Sequence, residues 1–64
     1  MQKIKIILRN DLNEEEKDCI RNRIQSFNIS LSETIKNGFD IYYYSLSGVK
    51  SYWSKYAKEF IEIK

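Results

Sequence analysis

A chain of 64 residues with 42% hydrophobic and 14% aromatic residues, no proline and no low-complexity run reads as one small folded domain rather than a disordered tail. Eleven basic and nine acidic residues leave a net charge of +2, which excludes both a strongly basic nucleic-acid binder and an acidic DNA mimic, while allowing a modest basic patch. Histidine is absent, Cys19 is the single cysteine and no apolar run approaches ~20 residues, so an internal disulfide, a zinc-finger spacing and a membrane-spanning helix are excluded.

In chain order, Ile4, Ile6 and Leu8 alternate with Lys3, Lys5, Ile7 and Arg9, the period-two pattern of a strand with one buried face. Asp11 to Asn13 then offers side-chain oxygens to cap a helix. Glu14, Glu15 and Glu16 place negative charge at its positive end, and Asn13 with Glu16 has the spacing of a capping box. Ile20, Ile24 and Phe27 form one apolar stripe on this helix, expected over about residues 13 to 27. Cys19 reads as a half-buried helix residue.

From Ile29 to Lys36, Ile29, Leu31 and Ile35 alternate with Ser30, Ser32, Thr34 and Lys36, which predicts an edge strand with Glu33 as its one misfit. Asn37-Gly38 accepts the positive φ angles of a type I′ turn, so a hairpin is expected to lead into a strand from Phe39 to Tyr44. On that strand Tyr42 and Tyr44 share one face and Phe39, Ile41 and Tyr43 the other, which leaves open which set is buried. Ser45-Leu46-Ser47 offers a second helix cap. Val49, Tyr52, Trp53, Tyr56, Ala57 and Phe60 recur at steps of three and four, predicting a helix over about residues 47 to 59 whose rings are core. Ile61 and Ile63, alternating with Glu62 and Lys64, predict a short last strand.

The order strand, helix, strand, strand, helix, strand, with right-handed crossovers and the central hairpin, is that of a small ferredoxin-like βαββαβ domain. Its α+β class implies a four-stranded antiparallel sheet with two helices on one face and the other face open. Lys3, Lys5, Ile7 and Arg9 then lie on the open face beside aromatic rings in either register.

No catalytic constellation is visible. Without histidine, acid–base work at neutral pH needs a strongly shifted carboxylate, lysine or tyrosine, and Ser45 and Ser47 have no evident base. Asp40 reads as a strand residue near the turn, Gly38 and Gly48 are too isolated to cradle a phosphate, and the Glu14–Glu16 run lacks a converging ligand. The chain is therefore read as no enzyme, with no cofactor and no metal. The amino-terminal MQKIKIILRN lacks a signal-peptide pattern, and the expected location is the cytoplasm.

Aromatics interleaved with basic residues on an open sheet are how RNA-recognition modules stack bases, and the run Lys36-Asn37-Gly38-Phe39-Asp40-Ile41-Tyr42-Tyr43-Tyr44 resembles their ribonucleoprotein consensus, with Asp40 where that consensus has a small residue. Residues Ile29 to Phe60, centred on NGFDIYYYSLSGVKSYWSKYAKEF, resemble a segment of the large-ribosomal-subunit export adaptor family of archaea and eukaryotes, named for nonsense-mediated decay. Gly38, Asp40, Tyr42, Ser45 and the helix from Gly48 fit that family's pattern, while its zinc-binding cysteine pairs are missing. These resemblances imply a module that binds RNA or a ribonucleoprotein, including the ribosome, through the open face. Its expected contacts are Lys3, Lys5, Arg9, Lys36, Tyr42 and Tyr44. The alternative is a protein-binding inhibitor or adaptor, of the kind encoded by phages and mobile elements, that covers a site on a larger host protein. A homodimer through the sheet face or the edge strand is left open, and no membrane partner is expected.

Overall fold

The alternation in Gln2–Leu8 builds β1, the central strand of a three-stranded antiparallel sheet, in the computed structural model, which describes residues 2–63. Ile4, Ile6 and Leu8 are almost fully buried on one face, each contributing roughly 1.5–3 kcal/mol by leaving water. Asn13 caps α1 (Glu14–Ile24) by the expected capping box: its side chain accepts from the Glu16 amide at 2.8 Å, and the Glu16 carboxylate accepts from the Asn13 amide at 3.1 Å. Ile20 and Ile24 face the core as expected. The chain then tightens into a 3₁₀ turn (Gln25–Phe27), whose larger rotation per residue carries Phe27 off the apolar stripe and leaves it 44% exposed. Asn28 ends the turn at φ 58°, a left-handed conformation that asparagine tolerates.

The expected edge strand over residues 29 to 36 is instead a helix, α2 (Leu31–Asn37). Leu31 and Ile35 are two steps apart on a strand's face but also one turn apart on a helix, and the local capping decides between them. Ser30 accepts from the Glu33 amide at 3.2 Å, and Thr34, 1% exposed, donates its hydroxyl to the Ser30 carbonyl at 2.8 Å. Glu33, a misfit on a strand, is favourably placed in the first turn of a helix. Asn37-Gly38 is accordingly no hairpin turn. Gly38 terminates α2 at φ 76°, ψ −173°, its amide donating to the Thr34 carbonyl at 2.9 Å, and a Cβ at this position would lie 2.5 Å from the Ile6 carbonyl oxygen.

β2 (Phe39–Tyr43) follows directly and pairs antiparallel with β1, Ile4 opposite Ile41. Ser45 caps α3 (Leu46–Trp53) through the Gly48 amide at 3.2 Å. This helix ends six residues before the expected limit of residue 59, because a turn closed by the Tyr56 amide on the Trp53 carbonyl redirects the chain into β3 (Ala57–Ile63). Long-range pairing with β1 overrides the local helical spacing of Tyr56, Ala57 and Phe60. The rings separate accordingly: Trp53 and Tyr56 are buried, Phe60 is half-buried and Tyr52 is 56% exposed rather than core.

The four-stranded ferredoxin-like sheet with two helices is thus overturned. Among the described residues there are three strands in the order β2-β1-β3 and three α-helices. The segment expected to pair with β2 as a hairpin partner has become α2, so β2 is left as an edge. Ile20 and Ile24 of α1, Leu31 and Ile35 of α2, and Val49 and Trp53 of α3 join Ile4, Ile6, Leu8, Phe39 and Tyr43 in one core cluster. No helix among the described residues is long and apolar enough to cross a membrane.

Candidate interaction surface

Because Phe39 and Tyr43 are buried with the β1 isoleucines, the face of β2 left for solvent carries Asp40 and Tyr42. Strand register arranges this face in rows. Tyr42, Lys3 and Ile63 lie side by side across the three strands, with Asp40, Lys5 and Ile61 beside them. The Lys3 ammonium lies 3.7 Å from the Asp40 carboxylate and 5.8 Å from the centre of the Tyr42 ring. Ile61 and Ile63 are exposed, so the face is apolar and mixed in charge rather than basic.

Of the six expected contacts, Lys3, Lys5 and Tyr42 are brought together here. Arg9 is held elsewhere: its guanidinium lies 2.5 Å from Glu16 and 3.7 Å from Asp11, and its amide donates to the Tyr56 carbonyl at 2.9 Å. Since Glu16 also closes the α1 capping box, Arg9 ties β1 to that helix start. Lys36 is exposed on α2 rather than on a strand. Tyr44 lies just past β2 and is 90% exposed, beside the Ser45 cap.

A second exposed region borders the open face at the β2 edge. Tyr42, at 65% exposure, and Tyr44 adjoin Phe27, Ile41 and Tyr52 in a shallow groove between β2 and α3. The assignment of Phe27 and Tyr52 to buried helix stripes hid them from sequence reasoning. The available signals were the short 3₁₀ ending of α1 and the position of Tyr52 beside, rather than on, the Val49–Trp53 line. Tyr52 is held in place by Arg23, whose guanidinium carbon sits 4.0 Å from the Tyr52 ring centre, 4.9 Å from Tyr56 and 5.5 Å from Trp53. The same guanidinium donates to the Tyr52 carbonyl, so α1 and the end of α3 are stapled by stacking and a charge-assisted hydrogen bond.

Two tyrosines titrate above their ordinary value of 10.0. Burial, then the charge of Glu62 and a hydrogen bond to it, raise Tyr43, whose hydroxyl also donates to the Gln2 carboxamide at 2.8 Å. A side-chain hydrogen bond with Cys19, then burial, raise Tyr56, with Arg23 opposing. Both changes lie far above neutral pH and create no acid or base for catalysis. Among the described residues no group of three potential metal ligands converges.

A further groove opens on the outer side of β2. One wall is the strand itself from Phe39 to Tyr42; the other is Phe27, Ile29 and the Ser30, Glu33 and Thr34 side of α2, meeting at Gly38. In comparisons with known proteins, no protein family, no curated protein and no solved structure matches the chain, so the resemblances to RNA-recognition modules and export adaptors rest on the quoted residues alone.

Proposed function

We propose that the chain is a non-enzymatic protein-binding module, an adaptor or inhibitor that engages a larger protein through the β2 side of its sheet. The observation that carries this reading is the apolar belt of Phe27, Ile29, Tyr42, Tyr44 and Tyr52 exposed along that side. Isolated exposed apolar residues are ordinary on a protein surface, but a contiguous row of them marks an interaction site, and tyrosine is enriched among residues that dominate binding energy. RNA or ribosome binding through the open face is the rival. It draws on Lys3 above Tyr42 with Lys5 one row away, but Lys3 faces Asp40 and Arg9 is committed to Glu16 and Asp11, which reduces the positive charge offered to phosphates.

A pull-down from native lysate with the tagged full chain, with and without nuclease, separates the two. The protein-binding reading expects a partner retained after nuclease and lost with Tyr44→Ala. Recovery only of nuclease-sensitive partners, together with salt-sensitive binding of single-stranded RNA that weakens with Lys3→Ala and Tyr42→Ala, would replace it with the RNA reading.

A further inference from the structure

We infer that the groove beside β2 receives an extended segment of a partner protein that carries Lys or Arg and a bulky apolar side chain, added to β2 as a fourth strand. This rests on the protein-binding reading and names the partner's chemistry. β2 is an edge strand, and among the described residues no backbone hydrogen bond beyond the β1 ladder involves residues 39–43. Its alternate amide and carbonyl groups therefore point outward without a protein partner, the template on which a strand adds.

The segment expected as a hairpin partner forms α2, which packs against β1 and α1 and whose Ser30, Glu33 and Thr34 side lines the groove as the second wall that a bare edge lacks. A peptide lying between an edge strand and a helix gains main-chain hydrogen bonds from the strand and side-chain pockets from both walls. β2 spans five residues, so the match is a segment of comparable length, about 17 Å when extended.

The groove's lining states what that segment carries. Its apolar end is formed by Phe27, Ile29 and Ile41, which suits one large apolar side chain. The charged residues of the lining are Glu33 and Asp40, both carboxylates. Glu33 accepts a hydrogen bond from the neutral Asn37 carboxamide at 2.7 Å and makes no salt bridge among the described residues, while Asp40 is countered by Lys3 at 3.7 Å and lies opposite Lys5 on β1. The unpaired Glu33 carboxylate on the α2 wall favours Lys or Arg in the occupant. A second copy of this chain lacks that chemistry, because pairing β2 with itself antiparallel about Ile41 sets Asp40 opposite Tyr42 and supplies no Lys or Arg from the paired strand.

The test is selection of displayed random linear peptides of about ten residues against the immobilised full chain, followed by fluorescence anisotropy with a synthetic selected peptide. The expected peptides alternate a large apolar residue with Lys or Arg, and methylating their alternate backbone nitrogens abolishes binding. Glu33→Lys, at an exposed site, weakens binding about tenfold or more and shifts selection toward Asp and Glu, with circular dichroism checking that the variant is folded. Asp40→Asn, which keeps the side chain's shape, weakens binding in the same direction.

Failure of the selected peptides to converge, selection of acidic peptides by the parent, or indifference to Glu33→Lys and Asp40→Asn in folded protein would overturn the inference. So would sedimentation showing a dimer that the peptide dissociates, since the occupant is then a second copy. If the pull-down partner is still retained after nuclease and lost with Tyr44→Ala, only the groove assignment falls; if it is not, the protein-binding reading falls as well.

Discussion

Replacing Gly38 by alanine tests the junction on which the fold departs from its expected hairpin. The φ of 76° and ψ of −173° lie in a region that is essentially reserved for glycine, and a residue with a Cβ held there carries strain on the order of 1–3 kcal/mol. The added Cβ would also sit 2.5 Å from the carbonyl oxygen of Ile6 and 2.8 Å from Ile7 Cδ1. The Ile7 methyl can move, but the Ile6 carbonyl belongs to the central strand and moves only with it. Against this, alanine restricts the unfolded chain and returns about 0.4–1 kcal/mol. The balance is a loss of about 2 kcal/mol or more, from a total expected to be roughly 3–10 kcal/mol at this chain length. At about 4–8 °C per kcal/mol, thermal unfolding followed by circular dichroism should show a fall of roughly 8–16 °C or more. Asn37→Ala is the paired control: at the last residue of α2 it loses one exposed hydrogen bond to Glu33 and should change stability by no more than about 0.5 kcal/mol. A Gly38→Ala protein melting with the parent, or an Asn37→Ala protein equally damaged as a type I′ turn would require, refutes the reasoning.

Trp53→Ala removes a ring that is 3% exposed and packed edge-on to Phe39 at 4.9 Å; the cost of about 3–5 kcal/mol rivals the whole stability, so the variant should show no cooperative melting transition. Arg23→Ala should cost about 1–2 kcal/mol in chemical denaturation, and Arg23→Lys should recover little of it, since an ammonium lacks the planar group that stacks between Tyr52 and Tyr56. Tyr43 holds its proton more tightly folded than unfolded, so the stability it gives is full below pH 10.0 and lost as pH rises through the raised folded value. Melting temperatures measured across that range should therefore fall more steeply for the parent than for Tyr43→Phe, and parallel curves would remove Tyr43 from this role.

Legibility in the sequence followed the locality of the forces. Asn13 and Glu16 meet within one turn, so the start of α1 was readable, and the alternation of Ile4, Ile6 and Leu8 announced a strand buried on one face. Residues 29 to 36 satisfy two periods at once, and only the Ser30 cap on Glu33, with the same spacing as Asn13 and Glu16, separates helix from strand. Gly38 was rightly expected at positive φ, but that angle serves helix ends as well as hairpins, and only its distance from Ile6 distinguishes them. The end of α3 was not local at all, because β3 is fixed by pairing with β1 some fifty residues earlier in the chain. For the surface, strand alternation places aromatic rings beside the β1 lysines in either register, and only the burial of Phe39 and Tyr43 selects Tyr42 as the ring opposite Lys3. The withdrawal of Arg9 to Glu16 and the exposure of Phe27 and Tyr52 depend on how α1 and α3 end, which the periodicities left unresolved.

Amide hydrogen exchange by nuclear magnetic resonance, residue by residue, tests most directly whether α2 has taken the place of a strand and left β2 bare. β1, paired on both sides, should exchange slowly throughout, whereas β2 should alternate between slow amides bonded to β1 and fast ones facing outward. Residues 31–37 should show helical carbon chemical shifts, and the outward β2 amides should become protected when a selected peptide binds. Strand-like shifts over residues 31–37, with every β2 amide protected in the free protein, would contradict both the fold and the edge on which the proposed interaction depends.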